Sequence, residues 1–265
     1  VVVTTDTAVE ANMFYLGRQD TNYFDGKIDD FRLYNRALPG NEIDALYRWS
    51  PGAVGYWSFD EGAGTSSVYD RSGNNNTGTM SGFSESDWTN GQYGNALDFD
   101  GSEDSISVSD DSTLDFGTGS FTVEAWINHD GDASATEQII TKVDTTNGGY
   151  KLYMDPSGDI CFVTDDDSSW DTDDSACTSG VDYDDGVWHH VAGVKTGTSG
   201  LELFVDGNSV ATDSSIADTN TLSNSGDLYI GVDFDGTTDY FEGKIDDVKV
   251  YNYARSPQEI ITDMN

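Results

Sequence analysis

Apolar and polar residues alternate along most of the chain with the period of two that β-strands produce. In the stretch 246–251, Asp246, Val248 and Val250 fall on one side of such a strand and the residues between them on the other. Short segments of this kind follow one another over residues 51–265, separated by glycine-rich turns, and helical patterns are almost absent. This spacing predicts an all-β fold, a sandwich of two antiparallel sheets.

The same alternation places the carboxylate of Asp246 in line with core residues. A charge in that position needs a cation or several hydrogen bonds as its partner. The alternative is an Asp at a strand end that lies in solvent or caps a turn. Both readings stay open at the level of the sequence.

The stretch 24–35 repeats near the other end of the chain as 241–252. When the comparison is carried on to Ile43 and Ile260, eleven of twenty aligned positions are identical. So long a period indicates tandem domains and not a solenoid. We therefore expect residues 1–50 to be the last strands and helix of a preceding, incomplete repeat and residues 51–265 to be a complete domain.

A short helix is predicted after the second copy of the repeated stretch. Ser256 suits the N-cap, Pro257 the first helical position, and Glu259 closes a capping box with Ser256. The complete domain should therefore end in a helix.

A series of motifs resembles the laminin-G-like domain of the concanavalin A-like superfamily, in the variety common in secreted bacterial multidomain proteins. In chain order, these motifs are Val54–Gly64, Asp70–Asn74, Gly94–Gly101, Phe121–Trp126, Trp188–Ala192, Leu203–Gly207 and Gly243–Val248. The resemblance covers residues 51–265, and residues 13–47 match the last part of the same domain. It implies a curved two-sheet jelly roll, frequent calcium binding, and roles in carbohydrate binding, adhesion or spacing.

A calcium site is the main chemical expectation. In this fold the first strand pairs with the last, which would bring Asp60, Asp246 and the loop that contains Asp70, Asn74 and Asn76 together. Calcium takes about six to eight oxygen ligands from carboxylates, amides and carbonyls. The alternative is that the loop beginning at Asp70 is an ordinary Asx turn.

The charge is extreme, with 12 basic and 49 acidic residues and a formal net charge of −37. Such a field repels nucleic acid and anionic membranes and attracts divalent cations, so we expect no nucleic-acid partner. An adaptation to saline surroundings would give the same composition. No run approaches the roughly 18 apolar residues of a membrane helix, so no membrane insertion is expected.

The chain has two cysteines, Cys161 and Cys177. A sparse pair in an acidic, β-rich chain is typical of one disulfide, which predicts a secreted, extracellular or cell-surface setting. Two buried thiols without a bond are the alternative.

Three aromatic residues in polar loop contexts, Trp88, Trp170 and Tyr183, are candidates for binding, because a flat ring can stack on a sugar face or on a partner. Trp170, beside an acidic loop between the cysteines, is the preferred one. Trp57, Trp126 and Trp188 lie in strand motifs and are expected in the core.

No catalytic motif stands out. His189 and His190 belong to a strand motif, and Glu124 is a lone acid on its strand, whereas a retaining glycosidase needs two carboxylates about 5–5.5 Å apart. We expect a non-enzymatic, calcium-stabilised module of a tandem-repeat surface protein that binds glycans or surface proteins. The alternative is a structural subunit of an extracellular polymer, filament or stalk in which residues 1–50 pair with another copy; a glycoside hydrolase is the least favoured.

Overall fold

The structure is a computed structural model. It describes residues 18–19, 22–23 and 52–264, the last range without 130, 132, 134, 146–147, 168–173 and 218–219. The chain divides into two compact units, Val1–Pro51 and Gly52–Asn265. In the first unit, the two short strands β1 (Arg18–Gln19) and β2 (Asn22–Tyr23) pair antiparallel. The expected last strand and helix of a preceding repeat, and their pairing with another copy, lie outside the described residues and stay predictions.

The second unit is built almost entirely of strands, as the alternating pattern predicts. The strands are β3 (Gly55–Trp57), β4 (Ser67–Val68), β5 (Gly78–Ser81), β6 (Trp88–Asn90), β7 (Asn95–Asp100), β8 (Ser105–Val108), β9 (Phe121–Asn128), β10 (Glu137–Asp144), β11 (Gly148–Met154), β12 (Ile160–Asp165), β13 (Asp174–Cys177), β14 (His189–Lys195), β15 (Leu201–Val205), β16 (Asn208–Asp213), β17 (Leu228–Ile230) and β18 (Glu242–Tyr251). Two 3₁₀ turns, Glu85–Asp87 and Ser112–Leu114, and the helix α1 (Pro257–Asp263) complete the described elements.

These strands form two antiparallel sheets. Sheet I has the order β13-β12-β11-β10-β17-β8-β5-β4, and sheet II has the order β16-β15-β14-β9-β18-β7-β6, with β3 also paired to β18. One continuous core of apolar side chains lies between them, including Trp57, Phe121 and Phe162. The predicted all-β, two-sheet jelly roll with a short C-terminal helix is confirmed.

The helix α1 begins as predicted. The Ser256 side chain accepts a hydrogen bond from the backbone N–H of Glu259, whose own side chain bonds back to the backbone of Ser256. Its buried Ile260 packs on Ala192 and Phe204, on the face of sheet II that points away from the main core. No helix in the described part of the chain is long and apolar enough to cross a membrane.

The first and last strands of the domain pair, as the resemblance implies. Trp57 of β3 lies opposite Val248 of β18, whereas Ile245, earlier on β18, lies opposite Leu97 of β7. Strand β18 therefore changes its neighbour halfway along. The end of β3 and the loop that leads into β7 meet at that point.

A β-bulge marks this change of neighbour and corrects the sequence analysis. The register of β18 against β9 shifts between Asp246 and Lys249, and Asp247 adopts a φ of 52°. Asp246 lies opposite Trp126, and directly opposed residues share a face. The main core contains Ile127 but not Trp126, so Asp246 faces outward from sheet II. Simple alternation had predicted that Asp246 lies on the same side as Val248, and that prediction is wrong.

The disulfide is present. Cys161 on β12 and Cys177 on β13 are register partners with a Cα–Cα distance of 4.1 Å, and they are bonded. The bond ties the edge strand β13 to the body of sheet I.

Candidate functional site

The first candidate site is the junction where β18 changes its neighbour, because two of the predicted calcium ligands meet there. The loop 91–95 is held between them: the backbone N–H of Tyr93 donates to Oδ2 of Asp246 at 2.9 Å, and that of Asn95 donates to Oδ1 of Asp60 at 3.2 Å. A Cβ at Gly94, where φ is +66°, would collide with the Asp60 carboxylate. The approach of loop and carboxylate therefore requires a glycine.

Asp246 lacks a full set of partners at this junction. The residue is completely buried, and its Oδ1 has no hydrogen-bond partner. Burial, together with the negative charges of Asp247 and Asp60, raises the pKa of Asp246 to about 7, although the hydrogen bond from Tyr93 lowers it. A buried carboxylate with a free oxygen and two acidic neighbours favours a proton or a cation beside it.

The other predicted ligands lie elsewhere and already have partners. The carboxylate of Asp70 accepts hydrogen bonds from the backbone N–H groups of Tyr56 at 3.1 Å and Asn76 at 2.9 Å, and from both the backbone and the hydroxyl of Ser72 at 2.8 Å. The side-chain amides of Asn74 and Asn76 donate to the carbonyl of Val54 at 2.9 and 3.0 Å.

This arrangement is the Asx-type loop that the sequence analysis gave as the alternative, and it anchors the start of β3. The structure therefore brings Asp60 and Asp246 to one loop and leaves Asp70, Asn74 and Asn76 at the other end of the strand. Among the described residues, no three His, Cys, Asp or Glu side chains are grouped closely enough to hold a metal ion. A calcium ion at Asp60 and Asp246 would need backbone carbonyls and water as its remaining ligands.

The second candidate site is a surface cavity of about 160 Å³ that contains Trp88. It lies beside the edge strands β4 and β6, which end the two sheets on the same side of the sandwich. Its apolar wall is made by Met80, Phe83 and Trp88, all of which pack partly against the main core. Its polar wall is made by Thr65, Ser66, Ser84 and Glu85.

The local structure explains why Trp88 is held in this position. A 3₁₀ turn precedes it, capped by the side chain of Ser84 and closed by Asp87, so the chain enters β6 at a fixed angle. Glu85 begins that turn with its side chain exposed. An aromatic ring fixed against the core, with an exposed carboxylate beside it, suits recognition of a small polar ligand.

The remaining aromatic predictions have mixed outcomes. Tyr183 is only 8% exposed and packs edge-on against His189, with ring centroids 5.1 Å apart, so the exposure expected from its loop context is wrong. Trp170 lies outside the described residues. Trp57 lies in the main core as expected, and its indole donates to the carbonyl of Asn76 at 2.7 Å. Trp126 is buried but lies outside the main core, and Trp188 is only half-buried, so the core position expected for these two is wrong.

A buried ionic cluster on the outer face of sheet II escaped the sequence analysis, which treated Glu124 as a lone acid. Glu124 lies 3.4 Å from Nε2 of His190 and 3.6 Å from Nε of Arg255. Burial raises the pKa of Glu124 to about 8 and lowers the pKa of His190 to about 4. Arg255 also pairs with Asp263 of α1 at 2.9 Å. The cluster fastens the helix to the sheet, and no solvent-exposed carboxylate pair results from it.

The comparisons with known proteins agree with this architecture. The family model described as the concanavalin A-like lectin/glucanases superfamily matches residues 1–44 and 100–261. Among solved structures, the binding domain of Paraclostridial Mosquitocidal Protein 1 aligns with a TM-score of 0.66 at 16% identity, over 80% of this chain and 52% of that one.

Two botulinum neurotoxin structures align similarly. The serotype D binding domain has a TM-score of 0.61 at 18% identity, over 80% of this chain and 51% of that chain. The serotype D ligand-binding domain in complex with N-acetylneuraminic acid has a TM-score of 0.62 at 17% identity, over 80% of this chain and 50% of that chain. This chain thus spans about half the length of the structures that it matches, and at this identity the likeness shows the fold alone. A comparison with curated proteins found no match.

Proposed function

Because the chain belongs to the concanavalin A-like lectin/glucanase superfamily, we propose that it is a non-catalytic extracellular recognition module that binds glycans or surface proteins. The observation that carries this proposal is the cavity at Trp88. An indole fixed against the core and edged by hydroxyl and carboxylate groups matches what a sugar ring needs, an apolar face to stack on and acceptors for its hydroxyls.

The size of the cavity fits a terminal sugar and not a long oligosaccharide. At about 160 Å³ it is smaller than the roughly 300–1,000 Å³ pockets that enclose drug-sized ligands. The module would therefore hold one ring at the end of a glycan. The toxin binding domains support the proposal only by analogy of fold, since a fold does not fix a function.

Hydrolysis is not part of the proposal, and the positions of the acids support leaving it out. Glu124, the strand acid that the sequence singled out, is completely buried beneath Arg255 and His190. A glycosidase needs a carboxylate pair on both sides of a scissile bond. The only acid among the residues lining the Trp88 cavity is Glu85.

A structural calcium ion at the junction of Asp60 and Asp246 is part of the proposal. The two carboxylates would supply charge, and the free Oδ1 of Asp246 would supply a ligand that otherwise has no partner. The ion would fasten loop 91–95 to β18 and to the segment that follows β3, near the strand that carries Trp88. Its role would be to keep the recognition edge in place.

Secretion is the setting that fits these features. A disulfide joins Cys161 and Cys177, and disulfides persist mainly in oxidising compartments. Assembly into a filament through residues 1–50 stays a separate prediction. A strict monomer in size-exclusion chromatography would count against it.

The recognition proposal is tested by glycan-array binding of the full chain and of Trp88→Ala. We expect the native chain to bind a subset of glycans and the variant to lose about fivefold or more in affinity, since stacking on an aromatic ring contributes on the order of 1 kcal/mol or more. Tyr69→Ala is the matched control, because Tyr69 is 56% exposed and does not line the cavity. Equal losses in both variants, or no binding by the native chain, would contradict the proposal.

A further inference from the structure

The charges around the Trp88 cavity restrict the class of sugar that it can take. The residues lining it include one acid, Glu85, and no Lys, Arg or His. Over residues 52–104 the sequence holds nine acidic residues and a single basic one, Arg71. That arginine is already paired with Asp60 at 3.7 Å. The lining of the cavity therefore offers no positive charge to an anionic ligand.

The loops next to the cavity concentrate the negative charge further. Asp87 closes the 3₁₀ turn that also carries Glu85. Beyond it, the carboxylate of Asp100 accepts backbone hydrogen bonds from Ser102 and Glu103 at 2.8 and 3.0 Å, so it is held in the ionised form. Burial raises the pKa of Asp104 to about 6, with contributions from the charges of Asp100, Asp87 and Glu103. The carboxylates of Asp87, Asp100 and Glu103 thus repel that of Asp104, so the electrostatic potential in these loops is negative.

From this geometry, and resting on the proposed function, we infer that the Trp88 cavity binds uncharged terminal sugars and discriminates against sialylated ones. A neutral ring offers hydroxyl hydrogens to the Glu85 carboxylate and its apolar face to the Trp88 indole. A sialic acid adds a carboxylate beside a lining that holds Glu85 and no basic side chain, and like charges within one screening length repel. The discrimination is by repulsion of the wrong ligand, a common source of specificity.

The ligand expected here differs from that of one structure with the same fold. A botulinum neurotoxin ligand-binding domain was solved with N-acetylneuraminic acid. The likeness of fold does not carry that ligand over, because the cavity here has no basic side chain in its lining.

The first measurement compares binding to pairs of immobilised oligosaccharides that differ only in a terminal N-acetylneuraminic acid. The second measures the affinities for lactose and 3′-sialyllactose in solution by titration calorimetry. For the native chain at about 0.15 M salt, we expect the neutral member of a bound pair to bind roughly three- to tenfold more tightly. Raising the salt should narrow the difference, because repulsion between exposed charges is screened, and should leave the neutral affinity unchanged.

Two charge variants make the test specific to the cavity. Glu85→Gln should reduce the preference, and Glu85→Lys should reverse it by offering the sialic acid a cation. Glu103→Lys is the matched control outside the cavity lining, and it should change the preference less than Glu85→Lys. Because Glu85 is exposed, its substitution leaves the core packing unchanged.

The outcomes are distinguishable. Binding of sialylated glycans as tightly as neutral ones, or preferentially, would overturn this inference and leave the recognition proposal standing. Binding of no glycan of either kind would overturn the recognition proposal itself. Binding of a cation such as choline in place of any sugar would overturn both, since a cation also stacks on an indole beside a carboxylate.

Discussion

The ammonium group of Lys142 gives the sharpest energetic prediction that the structure offers. The lysine lies on β10 with only 1% of its side chain exposed, and its Nζ is 2.8 Å from Asp110 and 3.2 Å from Asp115. The carbonyl of Gly226 accepts a further hydrogen bond from it at 2.9 Å, and Asn224 offers its carbonyl and amide oxygens at 3.3 Å. One cation thus joins the connection between β8 and β9 to the segment that precedes β17.

Lys142→Met removes that cation and keeps most of the side-chain volume. Removing one member of a buried ion pair costs about 3–5 kcal/mol, because the partner is left buried without compensation. Asp110 and Asp115 are 34% and 21% exposed, so water recovers part of their solvation and the lower end applies. We expect a loss of about 3 kcal/mol in the free energy of unfolding.

Urea denaturation of the full chain measures this loss as a lower transition midpoint at unchanged m-value. Lys244→Met is the matched control, because Lys244 is partly exposed on β18 and its substitution should change stability by about 0.5 kcal/mol or less. Adding Asp110→Asn to Lys142→Met should recover part of the loss, since it removes one uncompensated charge. A loss below about 1 kcal/mol for Lys142→Met, or no coupling with Asp110→Asn, would refute the reasoning.

Three further predictions concern the junction and the disulfide. Because the folded-state pKa of Asp246 is raised to about 7 from its ordinary value of 3.8, the folded state binds the proton more tightly. Without calcium, the free energy of unfolding should therefore fall as the pH rises between those two values. Asp246→Asn should flatten this dependence on pH. If urea titrations show the same dependence for the variant, the raised pKa does not belong to Asp246. Calcium at a hundredfold excess over its Kd should add roughly 2.7 kcal/mol to the free energy of unfolding at neutral pH. An equal melting temperature before and after chelation would show that no calcium ion binds the folded chain. Cys161→Ala with Cys177→Ala should cost on the order of 3 kcal/mol, measured by the same denaturation, and a cost near zero would show that β13 is held by other contacts.

The sequence predicts the large-scale architecture of the second unit and the disulfide because both follow from local or periodic signals. Alternating residues identify the strands, and the capping box of Ser256 and Glu259 identifies the helix start. The antiparallel pairing of the first strand of the domain with the last follows from the family resemblance, and the structure gives its register, with Trp57 opposite Val248. These features do not depend on fine geometry.

The details of the candidate sites depend on features that such signals do not contain. A bulge at Asp246 and Asp247 adds one residue to a strand, and nothing in a run of alternating residues marks where the extra residue stands. The partners of Lys142 and Glu124 come from loops and strands far along the chain. Tyr183 lies in a polar segment yet is buried, because tertiary packing overrides local composition.

The most direct test of the recognition account is the indole N–H resonance of Trp88 in a ¹⁵N-correlated NMR spectrum, assigned by comparison with Trp88→Phe. On titration with the neutral glycan that the array identifies, we predict that this resonance shifts and saturates with the calorimetric Kd, while the resonances of the buried Trp57 and Trp126 stay in place. A bound glycan that leaves the Trp88 resonance unmoved and shifts residues elsewhere would contradict the assignment of the recognition site to this cavity.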